Sequence, residues 1–302
     1  MTICMQTETK STGPKPTITL DLATVAIQQL PNLPTSTRQL LAYLNDDDID
    51  LKLVLRAIEC DAALTISVLR IANSPFYGMS NQVKTIGDAV LMMGIANVRM
   101  VVVTAMVSSL KFPNVECAQE IRKVFRHGLA VAICASIIGS ANGFDSGTLF
   151  LAGILHDIGI LALMSTYPEL HRESRELAVQ QNLSLHGAEH RVFGFDHADI
   201  GASLCRHWHL PESIVHAIEG HHAICDMPST VPQFPLAVRG AGVIHVSNAI
   251  AHQLNLEQAP HSRTPTVSDA IWNTLIKQPE VHIGELTEMR NQYQELVTLI
   301  AL

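Results

Sequence analysis

The sequence predicts an all-α protein made of an N-terminal helical bundle and a second helical lobe. Apolar residues recur at helical spacing along most of the chain, and Asp and Thr stand where helices would begin. No segment alternates apolar and polar residues as a half-buried strand does. The hydrophobic content of 47% over 302 residues is ample for a sizeable core.

Composition divides the chain into four parts. Residues 1–19 lack a hydrophobic period and read as a flexible tail. Residues 20–112 are predicted to form the N-terminal helical lobe, and the turn-like Lys111-Phe112-Pro113 connects it to a second helical lobe over residues 113–255. Residues 256–302 are predicted to be closing helices.

The helices of the first lobe are predicted from caps and from Pro or Gly at their ends. In chain order they are Leu20–Leu30, Thr35–Leu44, Leu51–Ile58, a helix capped by Asp61, a helix from Thr85 and Asp88 to Gly94, and Asn97–Leu110. The last contains three consecutive β-branched residues and a buried strand would fit it, but its length favours a buried helix. The acidic run Asp46–Asp48 lacks the ligand pattern of a calcium loop and reads as a solvated turn.

The second lobe is predicted in the same way. Its segments are Glu116–Ala141, the apolar stretch Leu149–Leu163 read as part of a helical core, Glu169–Asn182, a helix capped by Asp196, a helix begun by Pro211, Leu236–Leu254, and the closing helices Val267–Lys277 and Gly284–Leu302. The last helix has an apolar stripe that suits either core packing or the seam of a homodimer. The stripe consists of Leu286, Met289, Tyr293, Leu296 and Ile300.

Charge and cysteine content restrict the partners and the compartment. The net charge of −8 argues against a broad nucleic-acid surface, which needs clustered Lys and Arg. The six cysteines are scattered without a CxxC pair, which is typical of reduced thiols in the cytoplasm. We see no signal-peptide pattern, and no run of about 18–20 uninterrupted apolar residues that would predict a membrane span.

Histidine distinguishes the second half of the chain, because all 15 histidines lie at or beyond His127. Polar residues stand on successive predicted helices or helix ends, separated by 24 to 40 residues, so they could face one another across a bundle. They are His127, His156, Asp157, His197, His221, His222 and Asn248. Imidazole with carboxylate suits a divalent Fe, Mn, Zn or Ni ion, and we take these seven as candidate metal ligands. No other cofactor is indicated.

The order His, His-Asp, His, His-His resembles the ligand pattern of the HD superfamily of metal-dependent phosphohydrolases, especially its HD-GYP branch. Segments of the first lobe resemble the HDOD domain, the HD-related output domain of bacterial signalling proteins. The segments are Leu30-Pro31-Asn32-Leu33-Pro34, Asp61-Ala62-Ala63-Leu64, Asn73-Ser74-Pro75-Phe76-Tyr77-Gly78 and Ala89-Val90-Leu91-Met92-Met93-Gly94. The resemblance covers roughly residues 20–225. It implies an all-helical fold with a degenerate HD-type lobe and a signalling role exerted through a protein partner.

The chain departs from the catalytic pattern at three places. Asn248 stands where HD hydrolases have Asp, and an amide oxygen brings no charge to offset a divalent ion. Ile160 stands where relatives have the Lys of HD-x-G-K, so a cation for phosphate is lost. No GYP motif follows His221 and His222, and we therefore do not expect hydrolysis of cyclic di-GMP.

Three interpretations remain open from the sequence. The first is a non-catalytic signalling or scaffold domain with a degenerate HD-type metal site, whether or not a metal is held there; the second is a metal-dependent phosphohydrolase acting on a nucleotide or phosphodiester. The third treats the histidines as hydrogen-bonded core groups without an ion. No catalytic residue is assigned, and a surface position is the default for the other histidines, such as His171, His186, His207, His209 and His282.

Overall fold

The structure is a computed structural model of the chain. It describes residues 18–27, 51–73, 83–108, 110, 112, 118–226, 236–254, 264–276 and 289–298, except 292 and 295. All regular elements in these ranges are helices, which confirms the predicted fold class. The predicted helix Thr35–Leu44, the turn at Asp46–Asp48, nearly all of the tail and His282 lie outside the described residues.

Fourteen α-helices and one short 3₁₀ helix at Ala223–Asp226 occupy the described residues. The first five are α1 (Leu20–Ile27), α2 (Leu51–Glu59), α3 (Ala62–Ala72), α4 (Ile86–Met93) and α5 (Ile95–Ser108). The remainder are α6 (Ala118–Ala141), α7 (Ser146–Leu155), α8 (Ile158–Thr166), α9 (Pro168–Gln181), α10 (Leu185–Val192), α11 (His197–His207), α12 (Glu212–Glu219), α13 (Leu236–Gln253) and α14 (Asp269–Leu275).

The predicted caps organise the first lobe. The Asp61 carboxylate accepts the amide N–H groups of Ala63 and Leu64 at 2.9 and 3.1 Å and starts α3. Thr85 and Asp88 form the predicted reciprocal capping box at the start of α4. The sequence therefore determines these helix starts by local hydrogen bonding alone.

The ambiguous segment before the linker is a helix. α5 runs from Ile95 to Ser108, and its valines 101 to 103 are all buried. A helix that is apolar around its whole circumference packs on several sides, and α5 packs against α3, α4, α6 and α7. Burial on all faces explains why the period of the sequence did not separate helix from strand.

The core of the second lobe is a close pair of helices, α6 and α7. A Cβ added to Gly153 on α7 would overlap the backbone of Ala132 on α6, and one added to Gly128 would overlap the carbonyl oxygen of Ile154. The two glycines therefore let the backbones touch. α13 also packs on α6, while α8 and α12 pack on α11, so six helices build this interior region.

Two helical stretches of the described chain are long and apolar enough to span a membrane, Gln119–Ala141 and Ser146–Thr166. Their apolar windows are 72% and 89% buried inside the fold. Core helices of this kind satisfy the same length and hydropathy criteria, and here the apolar surface is already covered by protein.

Three residues of the C-terminal stripe are described, whereas Leu286 and Ile300 lie outside the described residues. Met289, Tyr293 and Leu296 are all buried, and the Met289 Sδ lies 3.1 Å from the Cys134 Sγ on α6. This part of the stripe packs into the core of its own chain and is not available as a dimer seam. Of the cysteines described, Cys134 and Cys205 are buried free thiols and Cys60 is an exposed one.

Candidate metal centre

The apolar stretch Leu149–Leu163 is interrupted where its two polar residues stand. α7 ends at Leu155 and α8 begins at Ile158, so His156 is the C-cap of one helix and Asp157 the N-cap of the next. The stretch that the sequence analysis assigned to a helical core is thus two helices joined at these two residues. An Asp at an N-cap ordinarily binds a backbone amide, but the Asp157 side chain makes no such bond. The Asp157 carboxylate therefore does not cap α8, and its oxygens face the buried histidines instead.

Four buried histidines surround the Asp157 carboxylate. Oδ2 lies 3.3 Å from Nε2 of His156 and 4.0 Å from Nε2 of His127. Oδ1 lies 3.3 Å from Nε2 of His197 and 3.8 Å from Nε2 of His221. Each oxygen faces a different pair of imidazoles, so the carboxylate stands between two groups of donors.

Two of these imidazoles direct Nε2 toward the carboxylate while Nδ1 is engaged elsewhere. The Nδ1–H of His156 donates to the carbonyl of Gly153 at 2.7 Å, and the Nδ1–H of His221 donates to the carbonyl of Ile218 at 2.6 Å. Both Nε2 atoms are buried and lack a hydrogen-bond partner. Burial and the neighbouring His156 lower the pKa of His221 to about 3, so it is neutral at pH 7. The Nε2 lone pair of the neutral His221 therefore faces a carboxylate, and this contact is unfavourable unless a cation lies between them.

His197 is held by a carboxylate that sequence analysis missed. Oε2 of Glu189 accepts both the backbone N–H of His197 at 3.0 Å and its Nδ1–H at 2.5 Å. Glu189 is fully buried. Burial opposes the imidazolium form, but the Glu189 and Asp157 carboxylates outweigh it and raise the pKa of His197 well above its ordinary value. The carboxylate–histidine pair directs Nε2 toward Asp157, as in many metal sites.

His221 and His222 both face the centre. α12 ends at Glu219, so the two residues lie in a turn and not at successive helical positions. His221 is fully buried, and the half-buried His222 places Nε2 2.8 Å from Nε2 of His197. His186 stacks on His222 with ring centroids 4.1 Å apart. The turn thus lets both histidines point inward.

Asn248 completes the centre from α13. Its Oδ1 lies 3.0 Å from Nε2 of His127, which donates because an amide oxygen only accepts. The burial penalty would raise the pKa of Asp157, but His156 and His197 hold it well below its usual range. Asp157 is therefore the anion of the centre, and Asn248 adds an oxygen without charge.

The candidate ligands form two adjoining groups. His127, His156 and Asp157 can each offer one atom within 4.8 Å of the others, and so can His197, His221 and His222. A third group, His190 with Asp196 and Asp199, meets the same distance criterion at the surface. There the two carboxylates form the capping box of α11, which accounts for that group without an ion.

An open cleft of about 730 Å³ leads to the centre. It is lined by His127, Asp157, Ile160, Asn182, Leu183, Ser184, Leu185, His186, His197, His222, His245, Asn248, His252, Thr264, Pro265 and Thr266. No Lys or Arg occurs among these described lining residues. The volume is ordinary for a small-molecule site, but a phosphate would meet no permanent cation from this wall.

The structure thus brings all seven predicted side chains to one centre, and it adds residues that the sequence did not indicate. Glu189 was missed because it sits beside exposed, polar residues on a short helix. His186 and His252 line the cleft, the latter with its ring 4.8 Å from that of His127. The i, i+4 spacing of Asn248 and His252 on one helix face could have indicated His252. The sequence analysis expected His171 at the surface, and this is wrong because His171 is buried.

Close packing of α8 against α11 fixes the relative position of Asp157 and His197. A Cβ at Gly159 would overlap the carbonyl oxygen of His197. Glycine is required here because backbone meets backbone. Packing alone therefore accounts for the glycine of the His-Asp-x-Gly segment.

The structure is thus an all-helical body that gathers His, His-Asp, His and His-His around one cleft. The family model for the HDOD domain matches residues 30–224, more than half of the chain. The chain belongs to the HDOD domain family.

Three solved structures show the same fold. An HDOD domain protein of unknown function from Geobacter sulfurreducens has a TM-score of 0.73 and 21% identity, covering 92% of this chain and 99% of that one. A candidate phosphohydrolase from Shewanella amazonensis SB2B has a TM-score of 0.69 and 24% identity, and the match covers 92% of this chain and 98% of that one. A candidate signal-transduction protein from Marinobacter aquaeolei VT8 has a TM-score of 0.69 and 19% identity, and the match covers 91% of this chain and 60% of that one. At these identities the likeness extends to the fold alone.

Among curated proteins, an uncharacterized protein of Treponema pallidum (strain Nichols) is 26% identical over 204 residues. The match covers 67% of this chain but only 39% of the Treponema protein. The chain therefore spans about two fifths of the length of that relative.

Proposed function

We propose that the protein is a cytoplasmic signal-transduction output domain that acts through a protein partner and holds a divalent metal ion in its second lobe. Membership of the HDOD family supports the signalling role, and so does the fold shared with the Marinobacter protein described as acting in signal transduction. In this proposal the metal stabilises a particular arrangement of the helices and is not a catalyst.

One observation carries the metal proposal. The Nε2 atoms of His156 and His221 are buried without a hydrogen-bond partner and face opposite oxygens of Asp157. Each Nδ1–H is engaged by a backbone carbonyl, which sets the tautomer that a metal ligand needs. His127, His197 and His222 are the adjoining donors, with Asn248 as a neutral oxygen beside His127.

The donor set indicates the kind of ion. One carboxylate stands among five imidazoles, and imidazole suits Zn, Fe and Ni, whereas Mn and Mg favour oxygen ligands. Of the divalent ions expected from the sequence, we therefore favour Zn, Fe or Ni over Mn.

Two features argue against phosphoryl chemistry. Ile160 lines the cleft where an HD hydrolase would present Lys, and the described lining offers no other permanent cation. Developing negative charge on a phosphoryl oxygen would be stabilised by the metal alone. Asn248 also leaves the ion with less ligand charge than Asp would.

Metal analysis of the full chain, purified without a nickel column, tests this proposal. We expect close to one equivalent or more of a transition metal, lost in His156→Ala and retained in His209→Ala, an exposed histidine. Only a few hundredths of an equivalent, unchanged by His156→Ala and not increased by added Zn²⁺, would exclude a metal site. Cross-linking in cells, followed by fractionation, tests the partner and the compartment: a cross-linked protein in the soluble fraction is expected.

A metal-dependent phosphohydrolase is the second candidate, because a cleft of about 730 Å³ opens directly onto Asp157 and the histidines. Turnover of a panel of nucleotides and phosphodiesters with Mn²⁺ or Fe²⁺, abolished in Asp157→Ala, would favour it. Absence of turnover by protein shown to contain metal would exclude it and leave the signalling proposal standing.

A further inference from the structure

A second cleft, of about 620 Å³, lies among the helices between residues 95 and 155. Its walls come from α5, from the end of α6 and from the start of α7, and it shares no lining residue with the cleft at the metal centre. The lining is Ile95, Asn97, Arg99, Met100, Ser136, Ile137, Ser140, Ala141, Asp145, Ser146 and Gly147. The size falls in the ordinary range for small-molecule sites.

Arg99 is the permanent cation of this lining, and its environment is unusual. The residue is only 9% exposed, and its guanidinium lies against Gly147 so closely that a Cβ there would overlap it. A buried guanidinium requires an anionic partner. In the structure Oδ2 of Asp145 supplies one, at 3.3 Å from Nη2.

This partner is readily replaced. The Asp145 side chain is 49% exposed, and an exposed carboxylate contributes little to an ion pair. The same Oδ2 also accepts the amide N–H of Thr148 at 2.6 Å, which caps α7. Asp145 could release Arg99 to another anion and still cap the helix.

The rest of the lining can bind the body of a ligand. Ser136 and Ser140 lie one turn apart on the same face of α6, and Ser146 begins α7. In the described part of the chain no side-chain hydrogen bond uses these three hydroxyls. Ile95 and Ile137 add apolar surface beside them.

We propose that this cleft binds a small organic anion, whose phosphate or carboxylate group pairs with Arg99 in place of Asp145 while its body contacts the serines and isoleucines. The proposal does not rest on the metal centre or on the proposed signalling function.

Substitutions of Arg99 and of Asp145 should change the affinity for the ligand in opposite directions. Arg99→Gln should weaken binding at least about tenfold because the cation is lost. Asp145→Asn keeps a good helix cap but removes the competing anion, so it should tighten binding several-fold. A pair that only stabilised the fold would not give changes of opposite sign.

Isothermal titration calorimetry of the full chain, kept metal-free by a chelator, uses AMP as the phosphate probe and glutarate as the carboxylate probe. We expect at least one of them to bind, and the comparison assigns the anionic group. Ser140→Trp fills the cleft from an exposed position and should abolish binding, whereas His156→Ala at the other cleft and Asp61→Asn, a helix cap elsewhere, should not change it.

Ser140→Trp and Asp145→Asn keep the test decisive if Arg99→Gln fails to fold. The proposal is wrong if neither probe binds with a Kd below about 1 mM. It is also wrong if binding survives Ser140→Trp, if it is lost in His156→Ala, or if Asp145→Asn weakens it.

Discussion

Glu189 and His197 form a completely buried carboxylate–imidazole pair, in which one carboxylate oxygen accepts both the backbone N–H and the Nδ1–H of the histidine. The two residues are eight positions apart, at the end of one short helix and the start of the next. The pair determines which ring nitrogen of His197 faces Asp157, and it links the metal centre to α10.

We expect Glu189→Gln to lower metal affinity by about 10- to 100-fold, the usual effect of losing a carboxylate behind a metal-bound histidine. The glutamine can still accept a hydrogen bond but brings no charge to strengthen the imidazole as a ligand. Competition with a chelator of known affinity measures the change. Glu212→Gln, at an exposed carboxylate, is the control and should leave affinity unchanged. Equal affinities for the two variants would refute the role of Glu189.

Metal affinity should rise with pH well beyond the ordinary titration range of histidine. The pKa of His197 is raised well above 6.5, whereas the pKa values of His221 and His222 are lowered and that of Asp157 is far below its usual range. Of these groups, therefore, only His197 must lose a proton when the ion binds at neutral pH. Below the raised pKa, each pH unit should reduce the apparent affinity by up to about tenfold.

The dependence can be measured as the apparent Kd for Zn²⁺ between slightly acid and alkaline pH. Glu189→Gln removes the charge that raises the pKa of His197 and should shift the curve to lower pH. A curve that is level throughout this range would show that no proton competes with the ion.

Asn248→Asp should lower the stability of the metal-free protein, and bound metal should offset that loss. Asn248 is buried, its Oδ1 lies 3.0 Å from His127 Nε2, and a carboxylate there adds a second anion near Asp157. Like charges in a buried site repel, so the metal-free variant should unfold at lower urea concentration. The added charge should raise metal affinity about tenfold or more, and metal should then restore stability.

Urea denaturation with a chelator and with Zn²⁺ measures both effects. The double variant with His156→Ala is the control, in which the gain from metal should disappear. If Asn248→Asp destabilises the protein equally with and without metal, Asn248 does not contact the ion.

Gly159→Ala should destabilise the protein by about 3 kcal/mol or more, because the new Cβ would overlap the carbonyl oxygen of His197 and backbone cannot move aside as a side chain does. The same shift would separate Asp157 from His197 and weaken metal binding. Gly87→Ala is the matched control: its Cβ would meet only the Thr85 hydroxyl at 3.7 Å, so it should be neutral or slightly stabilising. Equal unfolding free energies for the two variants would contradict the close packing of α8 on α11.

The helical fold could be predicted from the sequence because its signals are local. Asp61, Thr85 with Asp88, and Asp196 cap helices through amides two or three residues away, and such bonds need no tertiary context. α5 was less certain, since a helix buried on all sides has no polar face to show its period. The break at His156 and Asp157 escaped prediction because the surrounding apolar residues suit a continuous helix equally well.

Residue types and their spacing along the chain were enough to determine that the second lobe collects imidazoles and one carboxylate. Tertiary packing alone decided that Asp157 stands between two groups of donors, that a turn brings both His221 and His222 inward, and that Glu189 orients His197. The physical reason is that a ring nitrogen's direction depends on the hydrogen bond made by the other nitrogen. Its partner, such as the carbonyl of Gly153 or the carboxylate of Glu189, is set by backbone geometry and helix packing.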